Sequence, residues 1–116
     1  MNLKGKTAFI TGGGGGIGGG MAEAFAEQGM KVVVADIDLA AYARFGEVDV
    51  LCNNAGISVA WKPLVDMEPE TFDRAIQINL YGVFNGVKTF GPDMIARGSG
   101  HICNTSSLNG LICMGT

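Results

Sequence analysis

The sequence has little charge and few of the residues that build metal or disulfide sites. Of its 116 residues, eight are Lys or Arg and 11 are Asp or Glu, and the net charge is −3. The basic residues form no cluster, so we expect no binding to nucleic acid. There are only three cysteines and one histidine, and no two cysteines form a CxxC pair. A zinc site or a disulfide framework is therefore not expected.

Long apolar runs are also absent. No segment approaches the roughly 18 apolar residues that a membrane span needs, and the first apolar run is too short for a signal peptide. We expect no membrane partner and a cytoplasmic location, with the cysteines as buried free thiols in a reducing compartment. The hydrophobic content of 47% indicates a globular chain, and its length suits a single domain over residues 1–116.

Glycine is abundant, and its distribution is uneven. Eight of the 19 glycines fall within residues 12–20. Composition alone favours a flexible linker for this run, but its flanks favour a structured turn. The apolar segment TAFIT (7–11) precedes it and is typical of a buried strand, while a helical pattern follows it and ends near Gly29. A second buried strand, KVVVAD (31–36), completes a right-handed βαβ unit with parallel strands.

The rest of the chain continues this alternation. A long helix should run from residue 69 to about residue 97, with a bend near Pro92. Its apolar residues lie on almost every side, so we expect burial by the sheet and by another subunit. The fold class is α/β, a Rossmann-like doubly wound parallel sheet that is truncated, with strand order 2-1-3-4. The four strands are expected near residues 6–11, 31–36, 48–53 and 101–106.

The glycine run is interpreted as a phosphate cradle. A GxGxxG pattern is weak evidence here because it fits the run twice, but Asp36 ends the next strand 20 positions after Gly16. Glycines let backbone N–H groups approach a pyrophosphate at a helix N-terminus, and a carboxylate can accept hydrogen bonds from ribose. Nicotinamide oxidoreductases and many methyltransferases share this layout, so both stay open at this point. A P-loop NTPase is excluded because no GK[ST] follows.

Four motifs follow one another along the chain. They are TGxxxGxG (11–18), NNAG (53–56), Asn79 within INLYGV, and the pair Ser106–Ser107. In this order they resemble the short-chain dehydrogenase/reductase family over nearly the whole chain, apart from residues 39–46. The resemblance implies hydride transfer between a nicotinamide cofactor and a secondary alcohol or ketone, and it disfavours a methyltransferase.

The resemblance also implies roles for individual residues. Ser107 would hydrogen-bond the substrate carbonyl or hydroxyl, and Asn79 would hold a water in a proton relay. Asp36 would repel a 2′-phosphate, so NAD is expected rather than NADP. The residues expected to bind the cofactor are Gly12, Gly16, Ile17, Gly18, Asp36, Asn53, Ala55 and Gly56.

Two departures from the family pattern stand beside these matches. The family uses a tyrosine beyond the serine and a lysine four positions after it, whereas the tyrosines here, Tyr42 and Tyr81, have Gly46 and Asn85 at that spacing. Because a positioned acid/base contributes about 10²–10⁴-fold, we expect no useful turnover from these 116 residues alone.

The second departure lies between Asp36 and Asn53, where the family has a further helix–strand–helix. About 30 residues, one βαβ step, are missing there. Uncovered strand edges invite pairing with other chains, so we expect a homo-oligomer or an aggregate. Two hypotheses stay open: part of an active oxidoreductase, or a non-catalytic nucleotide-binding or vestigial module.

Overall fold

The structure is a computed structural model that describes residues 2–14, 16–35, 46–59 and 62–112. The strands are β1 (Thr7–Thr11), β2 (Lys31–Ala35), β3 (Val50–Asn53) and β4 (His101–Asn104). The α-helices are α1 (Gly16–Glu27), α2 (Pro69–Ile76) and α3 (Gly82–Ala96), and a π-helical turn (Gln77–Tyr81) joins the last two. Two short 3-10 turns are Leu64–Asp66 and Leu108–Gly110. Within these ranges, no helix is both long and apolar enough to span a membrane.

The four strands form one parallel sheet. Their order is β2-β1-β3-β4, and every neighbouring pair is parallel. In this register Phe9 lies between Val33 of β2 and Leu51 of β3. The predicted strand order and direction are therefore confirmed.

Helices cover both faces of the sheet, which confirms the doubly wound arrangement. On one face α1 packs on β1 and β2, and the apolar cluster there includes Ala8, Ile10, Val50, Cys52, Met21, Ala22, Phe25 and Val32. On the other face α3 packs on the sheet through Phe90 and Met94. The rings of Phe9 and Phe90 have centroids 4.9 Å apart in this second cluster.

The fourth strand is shorter than expected. It ends at Asn104, so Ser106 and Ser107 lie beyond it and not within it. The reason is that β3 ends at Asn53, whose carbonyl accepts the Thr105 N–H at 2.9 Å. This hydrogen bond is where the pairing between β3 and β4 ends.

The expected long helix runs from Pro69 to Ala96, but it is not uniform. Between α2 and α3 the chain changes to π-helical hydrogen bonding, in which the Gly82 N–H donates to the Gln77 carbonyl five residues back. The apolar pattern did not predict this turn. Pro92 lies within α3.

An ionic cluster centred on Asp49 joins elements at the amino ends of the strands. Asp49 accepts hydrogen bonds from the Thr7 N–H and from Lys6 Nζ, both at 2.9 Å, and Arg97 Nη1 lies 3.4 Å from its carboxylate. Burial by itself raises the pKa of Asp49, but the Thr7 hydrogen bond and the charges of Lys6 and Arg97 outweigh burial, and the net pKa is lowered. The cluster therefore favours the ionised carboxyl group.

Acid should weaken this cluster. Because the folded-state pKa of Asp49 is lowered, its stabilisation is fully present above the unfolded-state pKa of about 4 and is lost as the pH falls through the folded-state value. We expect the free energy of unfolding, measured by urea denaturation, to fall between about pH 5 and about pH 3. The fall should be smaller in Asp49→Asn and unchanged in the control Asp66→Asn, whose carboxyl is exposed. An equal pH dependence in Asp49→Asn would contradict this role.

Candidate cofactor site

The glycine turn after β1 is closed tightly by its neighbours. Gly12 has φ +65°, and its N–H donates to the Ala35 carbonyl at 3.1 Å. A Cβ at Gly12 would lie 2.9 Å from the Cα of Ala55, which is too close for any side chain. The turn is therefore confined between the end of β2 and the loop after β3.

Gly18 lets the first turn of α1 approach this loop. A Cβ at Gly18 would overlap the Gly12 carbonyl oxygen and would lie 2.7 Å from Asn54 Nδ2. At Gly14 and Gly16, in contrast, a Cβ would meet nothing within 4 Å among the residues that the structure describes. The glycines are thus of two kinds, one packed against protein and one facing open space at the N-terminus of α1.

This open space fits the pyrophosphate of a dinucleotide. The first N–H groups of a helix have no partner within the helix, and α1 begins at Gly16 directly after the turn. The positive end of the helix dipole adds to the attraction for an anion. The glycines that face open space leave the backbone accessible to such a ligand.

A single hydroxyl group joins β1 to the NNAG segment (Asn53–Gly56). Thr11 Oγ1 accepts hydrogen bonds from the N–H groups of Asn54 and Ala55, each at 3.0 Å, and donates to the Cys52 carbonyl at 3.4 Å. The Asn54 amide donates in return to the Thr11 carbonyl at 3.1 Å. These bonds, the Thr11 junction, set the distance between the glycine turn and the NNAG segment.

Asparagine side chains tie β3 to β4 at the same edge of the sheet. Asn53 is 3% exposed, and its Nδ2 donates to Asn104 Oδ1 at 2.8 Å. Thr105 Oγ1 donates to Asn54 Oδ1 at 3.1 Å. The Asn53 side chain therefore ties β3 to β4 at the ends of the two strands.

Asn79 holds the end of the NNAG segment against the long helix. Its Oδ1 accepts the Ile57 N–H at 2.8 Å, and its Nδ2 donates to the Ile57 carbonyl at 2.9 Å. Gly56 makes this approach feasible, because a Cβ there would lie 3.3 Å from Asn79 Oδ1. Asn79 lies within the π-helical turn, so this turn and the NNAG segment are fixed relative to each other.

Ser107 lies beyond β4 at the start of a 3-10 turn. Its Oγ accepts the Asn109 N–H at 3.3 Å, and the residue is exposed. Thr105, two positions earlier, contacts Asn54. Ser107 thus follows the carboxyl edge of the sheet, where the glycine turn and the NNAG segment also lie.

Three further residues named in the sequence analysis are Ile17, Asp36 and Tyr81. Ile17 is 67% exposed in the first turn of α1. Asp36 lies outside the described residues and follows Ala35, whose carbonyl contacts the glycine turn. The ring of Tyr81 packs edge-on against Phe84, with centroids 6.5 Å apart.

Among the residues that the structure describes, no group of three or more His, Cys, Asp or Glu could hold a metal ion.

Two members of the site are not predicted from the sequence. Thr11 is visible there only as the first residue of the TGxxxGxG motif, although a hydroxyl at the end of a buried strand needs hydrogen-bond partners. Ile57 was not named because its contribution comes from the backbone, which leaves no mark on residue identity. The sequence indicates this contact only through Asn79, a polar residue in an otherwise apolar helix that needs a hydrogen-bond partner.

Comparisons with known proteins agree with this geometry. The model of the short chain dehydrogenase family matches residues 39–115, including the segment 39–46, which contains none of the four motifs. The chain belongs to the short-chain dehydrogenase/reductase family. Its relatives include the C alpha-dehydrogenase of Sphingobium sp., 34% identical over 96% of this chain, and the mitochondrial borneol dehydrogenase of Lavandula x intermedia, 34% identical over 98%.

Solved structures of other proteins share the fold. The 3-ketoacyl-(acyl-carrier-protein) reductase from Brucella melitensis, complexed with NADH, matches 90% of this chain with a TM-score of 0.83 and 34% identity. The crystal structure of gox2181 matches 99% with a TM-score of 0.89 and 25% identity. The match covers 58% and 59% of those two chains.

The chain spans about half the length of the curated relatives it matches, 48% of the Sphingobium protein and 56% of the Lavandula protein. The alignment with the Sphingobium protein runs over 147 positions, more than the 116 residues of this chain. That relative therefore has residues with no counterpart here. This supports the internal shortening inferred from the spacing of Asp36 and Asn53.

The two kinds of glycine should respond differently to alanine. In Gly18→Ala the new methyl group meets the Gly12 carbonyl, so we expect a loss of about 1–3 kcal/mol in the free energy of unfolding. Gly20→Ala has open space in the same helix and should gain about 0.5–1 kcal/mol from helix propensity. Urea denaturation of both variants tests this. Equal effects would mean that Gly18 is not packed as described.

Proposed function

We propose that this chain is the NAD-binding part of a short-chain dehydrogenase/reductase, whose reaction transfers a hydride between NAD and a secondary alcohol or ketone. The observation that supports this most is the Thr11 junction, which holds an open glycine turn and a helix N-terminus beside the NNAG segment. Bound NAD would supply the hydride acceptor, and NADH the donor. The NADH complex of the Brucella reductase, whose fold is similar, adds support.

Three groups of residues would hold the dinucleotide. The first turn of α1, with Gly16, Ile17 and Gly18, would bind the pyrophosphate through backbone N–H groups. Gly12, whose own N–H donates to the Ala35 carbonyl, would let the turn pass close to Ala55. Asp36 would accept hydrogen bonds from the adenosine ribose. The opposite wall would be formed by Asn53, Ala55 and Gly56. The small size of Ala55 and Gly56 would let the backbone approach the cofactor.

Ser107 and Asn79 would have different roles. Among the described residues the Ser107 oxygen accepts one hydrogen bond, at 3.3 Å, which leaves its O–H to donate to the substrate oxygen. Both ends of the Asn79 amide contact Ile57, so we assign it as a positioning residue that orients the helix and the NNAG segment. A water of the proton relay implied by the family would then be held by groups around Asn79.

The proposal includes a preference for NAD over NADP. A carboxylate at Asp36 would repel a 2′-phosphate, and the neighbouring Ile37 supplies no positive charge. A small-molecule substrate and a cytoplasmic location complete the proposal. The acidic net charge of −3 disfavours nucleic acid as a partner.

The second candidate function is nucleotide binding without catalysis, as a vestigial module. The observation that favours it is Tyr81, whose ring contacts Phe84 and which has Asn85, not lysine, four positions on. Neither tyrosine of these 116 residues matches the acid/base pattern of the family.

Self-association is proposed for the outer surface of the long helix. Leu80 and Phe84 are 59% and 55% exposed there, and Val87 is 40% exposed. These three residues are four and three positions apart, so their side chains form one apolar stripe along the helix. Such a stripe is typical of a buried helix face. A second copy of the chain could cover the stripe, and the outer strands β2 and β4 could add edge pairing.

Calorimetry with both cofactors tests the binding proposal. We expect NAD to bind at least about tenfold more tightly than NADP, a difference of about 1.4 kcal/mol. Asp36→Ala should narrow this gap because it removes the repulsion of the 2′-phosphate, and Asp38→Ala should leave it unchanged. Equal affinities in the unmodified chain would contradict the role of Asp36.

Activity measurements test whether these 116 residues are catalytic by themselves. We expect the purified 116-residue chain to bind NAD but to give no measurable NAD-linked oxidation of secondary alcohols, followed by absorbance of NADH. Turnover that Ser107→Ala abolishes would show that this chain is itself catalytic and that the expectation is wrong. Turnover that survives both Ser107→Ala and Asn79→Ala would indicate a contaminating enzyme.

Light scattering coupled to size exclusion tests self-association. We expect a mass above that of one chain, and a lower mass in Leu80→Glu/Phe84→Glu because charges oppose burial of the stripe. Val65→Glu is the matched control, since Val65 is 91% exposed away from the stripe and should change nothing. A clean monomer with a sharp cooperative melt would overturn the proposal.

A further inference from the structure

Gly86 brings the long helix into contact with the side chain of Asn53. It lies in the second turn of α3, four positions before Phe90, whose ring packs on Phe9 of the sheet. Residues four positions apart share one face of a helix, so Gly86 also faces the sheet. A Cβ at Gly86 would overlap Asn53 Oδ1 and would lie 3.0 Å from Asn53 Cγ. Only glycine therefore fits beside this side chain in its present position.

The two ends of the Asn53 amide have unequal partners. Its Nδ2 donates to Asn104 Oδ1 at 2.8 Å, whereas Oδ1 lies against Gly86 and has no hydrogen-bond partner among the described residues. Glycine offers only a C–H group in this direction, which makes a weak hydrogen bond. Because a buried oxygen without a conventional donor is unfavourable and rare in native proteins, its retention here requires an explanation.

The contact is enclosed by residues that the structure describes. Asn53 is 3% exposed, and solvent does not reach its side-chain oxygen. The residue belongs to β3, an inner strand between β1 and β4, and α3 covers its side chain. The contact therefore does not depend on any residue beyond those described.

Asn53 connects the helix to two parts of the candidate site. It is the first residue of the NNAG segment, and its backbone carbonyl accepts the Thr105 N–H at 2.9 Å, two positions before Ser107. Thr105 Oγ1 donates in turn to Asn54 Oδ1 at 3.1 Å. A displaced Asn53 side chain would release Asn104 and loosen the junction between the NNAG segment and the end of β4.

We propose that Gly86 is a positioning residue for the cofactor site. Because it has no side chain, α3 can hold the Asn53 amide in the orientation that donates to Asn104. This fixes the NNAG segment relative to the end of β4, although Gly86 itself would touch neither cofactor nor substrate. The expected effect on NAD affinity rests on the proposed function, whereas the effect on the bond between Asn53 and Asn104 does not.

NMR spectroscopy without NAD tests the contact itself. In Gly86→Ala the methyl group displaces Asn53 Oδ1, so the Asn53 side-chain amide should lose its bond to Asn104, change its chemical shifts and exchange its hydrogens at least about tenfold faster. Gly82→Ala is the matched control in the same helix, because a Cβ there meets no described atom within 4 Å, and it should change none of these signals. Unchanged Asn53 side-chain signals in folded Gly86→Ala would overturn the proposal.

Calorimetry with NAD tests the consequence for the site. We expect Gly86→Ala to weaken binding at least about tenfold and Gly82→Ala to leave it unchanged. In an Asn53→Ala background, Gly86→Ala should cause no further loss, because the amide that it displaces is gone. Equal losses in both backgrounds would show that the methyl group acts elsewhere, and would overturn the proposal.

Two further outcomes are informative. If Gly86→Ala does not fold, recovery of the fold in Gly86→Ala/Asn53→Ala would support the contact, and loss of folding in both variants would overturn it. If the unmodified chain does not bind NAD, the proposed function fails, and the NMR measurement alone decides the role of Gly86.

Discussion

The Thr11 hydroxyl group is the contact on which the rest of the site depends. It is a single oxygen with three backbone partners in the segment from Cys52 to Ala55, and it stands at the end of the central strand β1. Because the NNAG segment is held at this distance, Gly12 must pass Ala55 without a side chain, and Gly18 must approach the Gly12 carbonyl in the same way. The open space at the N-terminus of α1 is what remains between these fixed parts.

The long helix stabilises the same edge of the sheet from the other side. Asn79 bonds twice to the Ile57 backbone, and further along the helix Gly86 lies against the side chain of Asn53, where any Cβ would overlap the side-chain oxygen Oδ1. That oxygen is buried without a hydrogen-bond partner among the described residues. Since α3 packs on the sheet through Phe90, the long helix contacts this edge of the sheet both at Asn53 and at Ile57.

The sequence predicted most of the fold and less of the site. Strand order and the two helix-covered faces follow from buried strands and a right-handed crossover, which depend on local patterns. The π-helical turn was not predictable, because it accompanies a side chain-to-backbone contact between Asn79 and Ile57, which are 22 residues apart. The early end of β4 depends on where β3 stops, and Thr11 acts through backbone atoms of distant residues. Motif positions were visible from residue types, whereas the bonds that connect them were not.

The most direct measurement is NAD binding followed by amide chemical shifts in Thr11→Val, compared with Thr11→Ser, which keeps the hydroxyl group. If the junction shapes the cradle, NAD should shift the amide signals of Gly14, Gly16 and Ala55 in the unmodified chain and in Thr11→Ser. In Thr11→Val these shifts should be lost, while signals from β1 and β2 show that the sheet is intact. Unchanged NAD binding in Thr11→Val, or shifts confined to residues away from the glycine turn, would contradict the account.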